Sequence, residues 1–181
     1  MTPDPAALGN PPGSRHSGPT DCGEFGIHIA RDGVWWHDGS PITRMPLVKL
    51  FASVLRRDDA GAYWLVTPAE RGRVTVEDAP FTAVELTVAG AGREQILTFR
   101  TNIDDRLSAG VDHPLRVITD RMTGAPSPYI LVRDGLEARL TRAVFYELVE
   151  IGSEEQVGQS TAFGVWSQGK FFSLGTLDER P

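Results

Sequence analysis

Apolar positions between residues 47 and 55 fall on one helical face. Leu47, Leu50, Phe51, Val54 and Leu55 follow the i, i+3, i+4, i+7, i+8 spacing. They predict a helix from Met45, with Arg56 and Arg57 at its C-terminal end, where cations suit the dipole, and Gly61 as a left-handed stop. A second helix is expected over about Arg142–Glu150, ended at Gly152. Elsewhere the period is two. Val84, Leu86 and Val88 alternate with Glu85 and Thr87, which predicts a strand over Thr82–Val88 with the apolar three inward. Val74 and Val76 share one side of Arg73–Glu77, and Tyr63–Thr67 is apolar on both faces, a central strand ended by Pro68. Further strands are expected at Ile27–Ala30, Val34–His37, Gln95–Thr101, Arg116–Thr119, Tyr129–Arg133 and Leu136–Leu140. A last hairpin joins Val165–Trp166 to Phe171–Leu174 through Ser167-Gln168-Gly169; Asp38-Gly39 and Gly90-Ala91-Gly92 supply other turns. Many strands and two helices define an α+β fold with mainly antiparallel sheets.

One pattern occurs twice. Arg31-Asp32-Gly33 follows a strand, and Ile42-Thr43-Arg44 precedes the first helix; Arg133-Asp134-Gly135 and Leu140-Thr141-Arg142 stand in the same places before the second. Asp and Gly after an apolar strand are turn chemistry. Thr43 and Thr141 read as N-caps, so that Ile42 with Leu47, and Leu140 with Phe145, form hydrophobic staples. Pro46 then falls in the first turn, where its missing N–H does no harm. The two copies read as related small units from an internal duplication. In this register Arg44 and Arg142 are the first helical residues, where a cation opposes the dipole. Each either curls back on Asp32 or Asp134, points into water, or forms an anion site with the free helix N–H groups.

Composition separates a tail from a body. Nine of the first 23 residues are Gly or Pro, and apolar side chains there are few, so residues 1–23 are expected to be disordered. The body divides into an N-terminal α+β unit, 24–79, and a C-terminal one, 80–181. The 181 residues carry a net charge of −6. The total disfavours duplex nucleic acid, which needs clustered cations. Residues 24–79 hold seven basic and eight acidic residues, residues 80–181 ten and fourteen, and 16 of the 18 cations are Arg, so a local cationic cleft is compatible with the total. No run of 18 apolar residues is present, so no helix spans a membrane. A lone cysteine and no visible secretory signal point to the cytoplasm.

Signature chemistry is sparse. No phosphate-binding loop, dinucleotide fingerprint or nucleophile elbow occurs. His28, His37 and His113 are scattered, without metal-ligand spacing, and no cofactor is assigned. Asp104-Asp105 reads as a solvated turn, with a hard-cation site as the alternative. Asp112-His113 is the acid/base candidate, since a carboxylate can orient an imidazole. Trp35-Trp36 and Trp166 could stack a planar ligand, although one of an adjacent strand pair must face away from the core. The loop Thr67–Arg73 brings Arg71 and Arg73 to a turn, either a polar hairpin or an anion-reading loop.

The same segments resemble an uncharacterised bacterial family, domain of unknown function 1285. The resemblance is carried by Arg31-Asp32-Gly33-Val34-Trp35, Gly39-Ser40-Pro41-Ile42, Leu47–Leu55, Val66-Thr67-Pro68, Arg71-Gly72-Arg73, Val76–Phe81, Phe99-Arg100-Thr101-Asn102, Asp112-His113-Pro114-Leu115, Tyr129–Gly135 and Gly164-Val165-Trp166. It spans residues 26 to 175. It implies two duplicated units, the second loosely like a pleckstrin-homology barrel, with a site between them for a nucleotide-like ligand and a role in signal transduction. It implies no catalytic residues.

The sequence therefore points first to a non-enzymatic protein that holds a small anionic ligand between the units. Arg44, Thr67, Arg71, Arg100, His113 and Arg142 are the candidate ligand-binding residues. The alternatives are an enzyme using Asp112 and His113, and a protein–protein adaptor using the second unit's sheet.

Overall fold

The computed structural model describes residues 18–176. The first half contains β1 (Thr20–Ile29), β2 (Trp35–His37), β3 (Ser40–Pro41), α1 (Met45–Val54), β4 (Leu55–Arg57), β5 (Tyr63–Val66) and β6 (Glu70–Val76). These strands form one sheet in the order β3-β2-β1-β6-β5-β4, antiparallel except between β1 and β6. The second half contains β7 (Phe81–Ala89), β8 (Ile96–Thr101), β9 (Arg106–Ser108), β10 (Leu115–Thr119), β11 (Pro126–Arg133), β12 (Leu136–Leu140), α2 (Arg142–Glu150), β13 (Ser153–Val157), β14 (Ser160–Ser167) and β15 (Lys170–Thr176). Its second sheet has the order β10-β11-β12-β7-β8-β9, with β7 and β12 parallel, and β13-β14-β15 form a third. The fold is a sheet-dominated α+β architecture with two helices. The single barrel expected for the second unit is not what its strands form: they fall in these two separate sheets, with α2 between them in sequence.

Turn chemistry sets the hairpins. Asp38-Gly39, Asp134-Gly135 and Gln168-Gly169 each place two successive residues at positive φ, the geometry that matches strand twist in a two-residue hairpin. The first Arg-Asp-Gly turn differs: Asp32 Oδ1 accepts from the Val34 N–H at 3.0 Å, and Gly33 alone has φ +84°. In both halves an Arg-Asp-Gly hairpin is followed by Thr-Arg, a helix and three antiparallel strands.

Most of the buried apolar residues form one continuous core. Ile29, Trp35 and Leu55 from the first half join Phe81, Leu97, Phe99, Ile130, Leu136 and Leu148 from the second. Trp35 is 1% exposed and its ring lies beside Phe51, whereas Trp36 is half-buried, so the adjacent pair does split between faces. The halves are also tied through α1: Lys49 Nζ lies 2.8 Å from Asp104 Oδ2, and Arg133 Nη2 donates to the Ala52 carbonyl at 2.6 Å.

Several expectations are corrected. Thr43 does not cap α1. The N-cap is Arg44, without a side-chain cap bond; its carbonyl accepts from Leu47 and Val48. Pro46 then occupies the second helical position and removes one of the two N–H groups a capping side chain would take. Arg44 is therefore not the first helical residue. The helix ends at Val54, because Leu55 turns extended to pair with Leu65 in β5. Gly61 instead serves the β4–β5 turn at φ +85°. Its buried face is Val48 and Ala52, and Leu50 is 60% exposed. In β7 a bulge between Ala83 and Glu85 breaks the alternation and leaves Val84 exposed, while Leu86 and Val88 stand opposite the buried Phe99 and Leu97, with Val88 still 41% exposed. Strand β1 begins at Thr20, so Thr20–Gly23 belong to the sheet and not to the loose tail. The first seventeen residues of that tail lie outside the described residues.

Candidate functional site

The second repeat carries its cap as expected. Thr141 Oγ1 accepts from the Val144 N–H at 3.4 Å and the Thr141 carbonyl from Phe145 at 2.9 Å. Arg142 is thus the first residue of α2, and the N–H groups of Arg142 and Ala143 have no helical acceptor, as at every helix start. This end of α2 opens on a cleft of about 540 Å³. Across it stands the first Arg-Asp-Gly turn, so the cleft lies between the two halves of the chain. Arg31 and Asp32 line it from the first half, and Ser127, Pro128, Arg139, Arg142, Phe145 and Tyr146 from the second.

The three guanidinium groups differ. Arg139 pairs with Asp78, which also accepts from the Tyr129 hydroxyl at 2.7 Å, and reaches Ser127 Oγ at 3.3 Å. Burial first, then the Asp78 hydrogen bond, pushes the Tyr129 phenol up. Arg139 is a fixed, neutralised wall. The Arg31 and Arg142 side chains are exposed and have no hydrogen-bond or ion-pair partner among the described residues, although the Arg31 backbone N–H donates to Glu77 Oε2 at 2.9 Å. The cleft's one carboxylate, Asp32, is engaged with Val34.

The six sequence candidates do not converge. Arg142 lines the cleft. Arg44 is exposed at the start of α1 and has no side-chain partner among the described residues. Thr67 closes the β5–β6 turn, its hydroxyl donating to the Glu70 carbonyl and accepting from the Glu70 N–H. Arg71 gives both a 3.2 Å and a 2.9 Å bond to Asp21 and stacks on Trp64. That doubly held guanidinium makes Thr67–Arg73 a polar hairpin. Arg100 bonds Glu85 at 2.7 Å and Asp104 at 3.2 Å, and the first of these bonds holds Glu85 below the usual carboxylate range. His113 Nδ1 bonds the Leu131 carbonyl at 3.0 Å, so a backbone carbonyl and not Asp112 orients its ring. Trp166 is covered by Arg93 and Phe171 and donates to Glu155. Arg31 and Arg139 are additions to the site. Arg31 was legible only as turn chemistry, because nothing in sequence shows that its turn faces α2.

The fold and cleft define a two-domain, sheet-dominated α+β protein with a cationic groove at the domain junction. The chain belongs to the DUF1285 family: residues 11–79 match "Domain of unknown function (DUF1285), N-terminal domain", and residues 80–174 match "Protein of unknown function (DUF1285), C-terminal domain". A DUF1285 family protein from Silicibacter pomeroyi DSS-3 is 45% identical, with a TM-score of 0.80 over 89% of this chain and 85% of that one. A second, from Shewanella baltica OS155, is 30% identical, with a TM-score of 0.54 over 69% of this chain and 91% of that one. No curated protein matches the chain.

Proposed function

We propose that this is a non-enzymatic binding protein, with a part in signal transduction, whose cleft at the start of α2 takes a small anion such as a phosphate or carboxylate compound. The observation that carries the reading is the pair Arg31 and Arg142. They come from the two halves and line one cleft, and neither guanidinium is paired with a carboxylate among the described residues. Guanidinium groups beside a helix start suit a phosphate or carboxylate. Phe145, Tyr146 and Pro128 give the ligand's body an apolar seat.

The test is a thermal-shift and calorimetric screen of inorganic phosphate, nucleoside monophosphates and dicarboxylic acids. At least one is expected to raise the melting temperature. Arg31→Gln and Arg142→Gln should each weaken it about tenfold or more, while Arg44→Gln leaves it unchanged. An empty screen, or a ligand indifferent to Arg142→Gln, overturns the reading.

A further inference from the structure

Helix α1 does not close onto the sheet it covers. Leu47, Phe51 and Val54 on its inner side are only half-buried, and a gap of about 450 Å³ separates them from Ile27 and Leu65. Phe25 completes the wall and packs so tightly on Gly72 that a Cβ there would fall 2.4 Å from its ring carbons. The volume lies within the ~300–1,000 Å³ range of small-molecule sites, and an apolar lining with few polar groups is their usual character.

Three polar side chains reach this gap. The Thr67 hydroxyl is used within its own turn. His37 faces Asp38 at 3.5 Å. Glu70 is different: its one side-chain contact among the described residues is the Cys22 thiol at 3.6 Å, and no cation pairs with it. An apolar gap with an uncompensated carboxylate at its edge is complementary to an apolar body ending in an ammonium group.

We propose that the gap between α1 and the first sheet is a second binding site, specific for an apolar primary amine, with the hydrocarbon between helix and sheet and the ammonium on Glu70. The site shares no lining residue with the α2 cleft and takes the opposite charge.

Phenylbutylamine, phenylbutanol and phenylbutyrate serve as matched probes, titrated into the full chain by calorimetry and followed by NMR. The amine is expected to bind most tightly and the carboxylate least. Glu70→Gln, at an exposed position, should weaken the amine about tenfold and leave the alcohol unchanged. Val54→Phe, which fills the gap, should abolish binding of all three, and circular dichroism reports whether that variant folds. Arg142→Gln should leave amine binding intact, which separates this site from the anion cleft. No amine binding at millimolar concentration, equal binding of the carboxylate, or indifference to Glu70→Gln overturns the proposal, whether or not Val54→Phe folds.

Discussion

Asn102 donates from Nδ2 to the carbonyl of Gly33 across 3.0 Å, tying the first Arg-Asp-Gly turn to the second half of the chain. The same amide accepts from the Thr82 N–H at 3.1 Å, so one side chain joins the β8–β9 turn, β7 and the cleft wall.

Replacing either partner should loosen that junction. Asn102→Ala leaves the buried Thr82 N–H unsatisfied, at about 1–3 kcal/mol. Gly33→Ala meets φ +84° and puts a Cβ 2.8 Å from Asn102 Nδ2, a cost of about 1–3 kcal/mol. Urea midpoints should fall for both, and the double variant should lose less than the two losses added, because the clash disappears with the Asn102 side chain.

The two helix starts should respond differently to the same change. Thr141→Ala removes a cap bond and should lower stability by about 1 kcal/mol. Thr43→Ala removes no cap and should fall within about 0.5 kcal/mol of the parent. Denaturation of the two variants in parallel decides it; equal losses would contradict the assigned caps.

Ser167 fastens the third sheet to the second. Its fully buried hydroxyl donates to the Ala109 carbonyl at 2.7 Å and accepts from the Leu97 N–H at 3.0 Å. Ser167→Ala should therefore cost about 1–3 kcal/mol despite its small volume change. Hydrogen exchange at the Leu97 amide should accelerate in the variant by more than at amides of β1.

Stability should decline at alkaline pH. Tyr63 and Tyr129 both have phenols raised above the ordinary 10.0, first by burial. The unfolded chain loses those protons first, so the contribution is whole below pH 10.0 and is lost as pH rises through the folded values. Tyr129→Phe should flatten part of this slope in denaturant unfolding followed between about pH 9 and 12. On the acid side the sign reverses. Lys49 first, then Arg100, holds Asp104 below 3.8, a contribution present above that value and lost as pH falls through the folded pKa. Carboxyl NMR should show Asp104 titrating higher in Lys49→Met.

The periodicity of the chain was a good guide wherever one face alone met the core. Strands β5, β6, β8, β11 and β12 and both helices stand close to where the sequence put them, whereas β1 begins at Thr20, ahead of the expected Ile27. It failed where tertiary pairing overrode it. Leu55 continues the helical pattern yet pairs with Leu65, and Leu50 fits the apolar face yet lies outside it. The short strands β4, β9 and β13 have too little pattern to announce themselves. The cleft was half legible. Arg142 was named from its place after a cap, but the partner turn that brings Arg31 opposite it comes from folding two distant segments together. Arg71 and Arg100 looked free in sequence because their partners, Asp21 and Glu85, lie on neighbouring strands.

The parallel pairing of β7 with β12 sets an order of events during synthesis. The first sheet has all its strands once residue 76 has been made, and β7 can form a hairpin with β8 soon afterwards. The other edge of β7 must wait for Leu136–Leu140, with Phe81, Thr82 and Ala83 unpaired on that side in the interval. An apolar strand edge held open in a growing chain is a template for wrong partners. The first half holds a shorter version of the same wait, β1 for Glu70–Val76, so the second half is where a folding helper has more to shield.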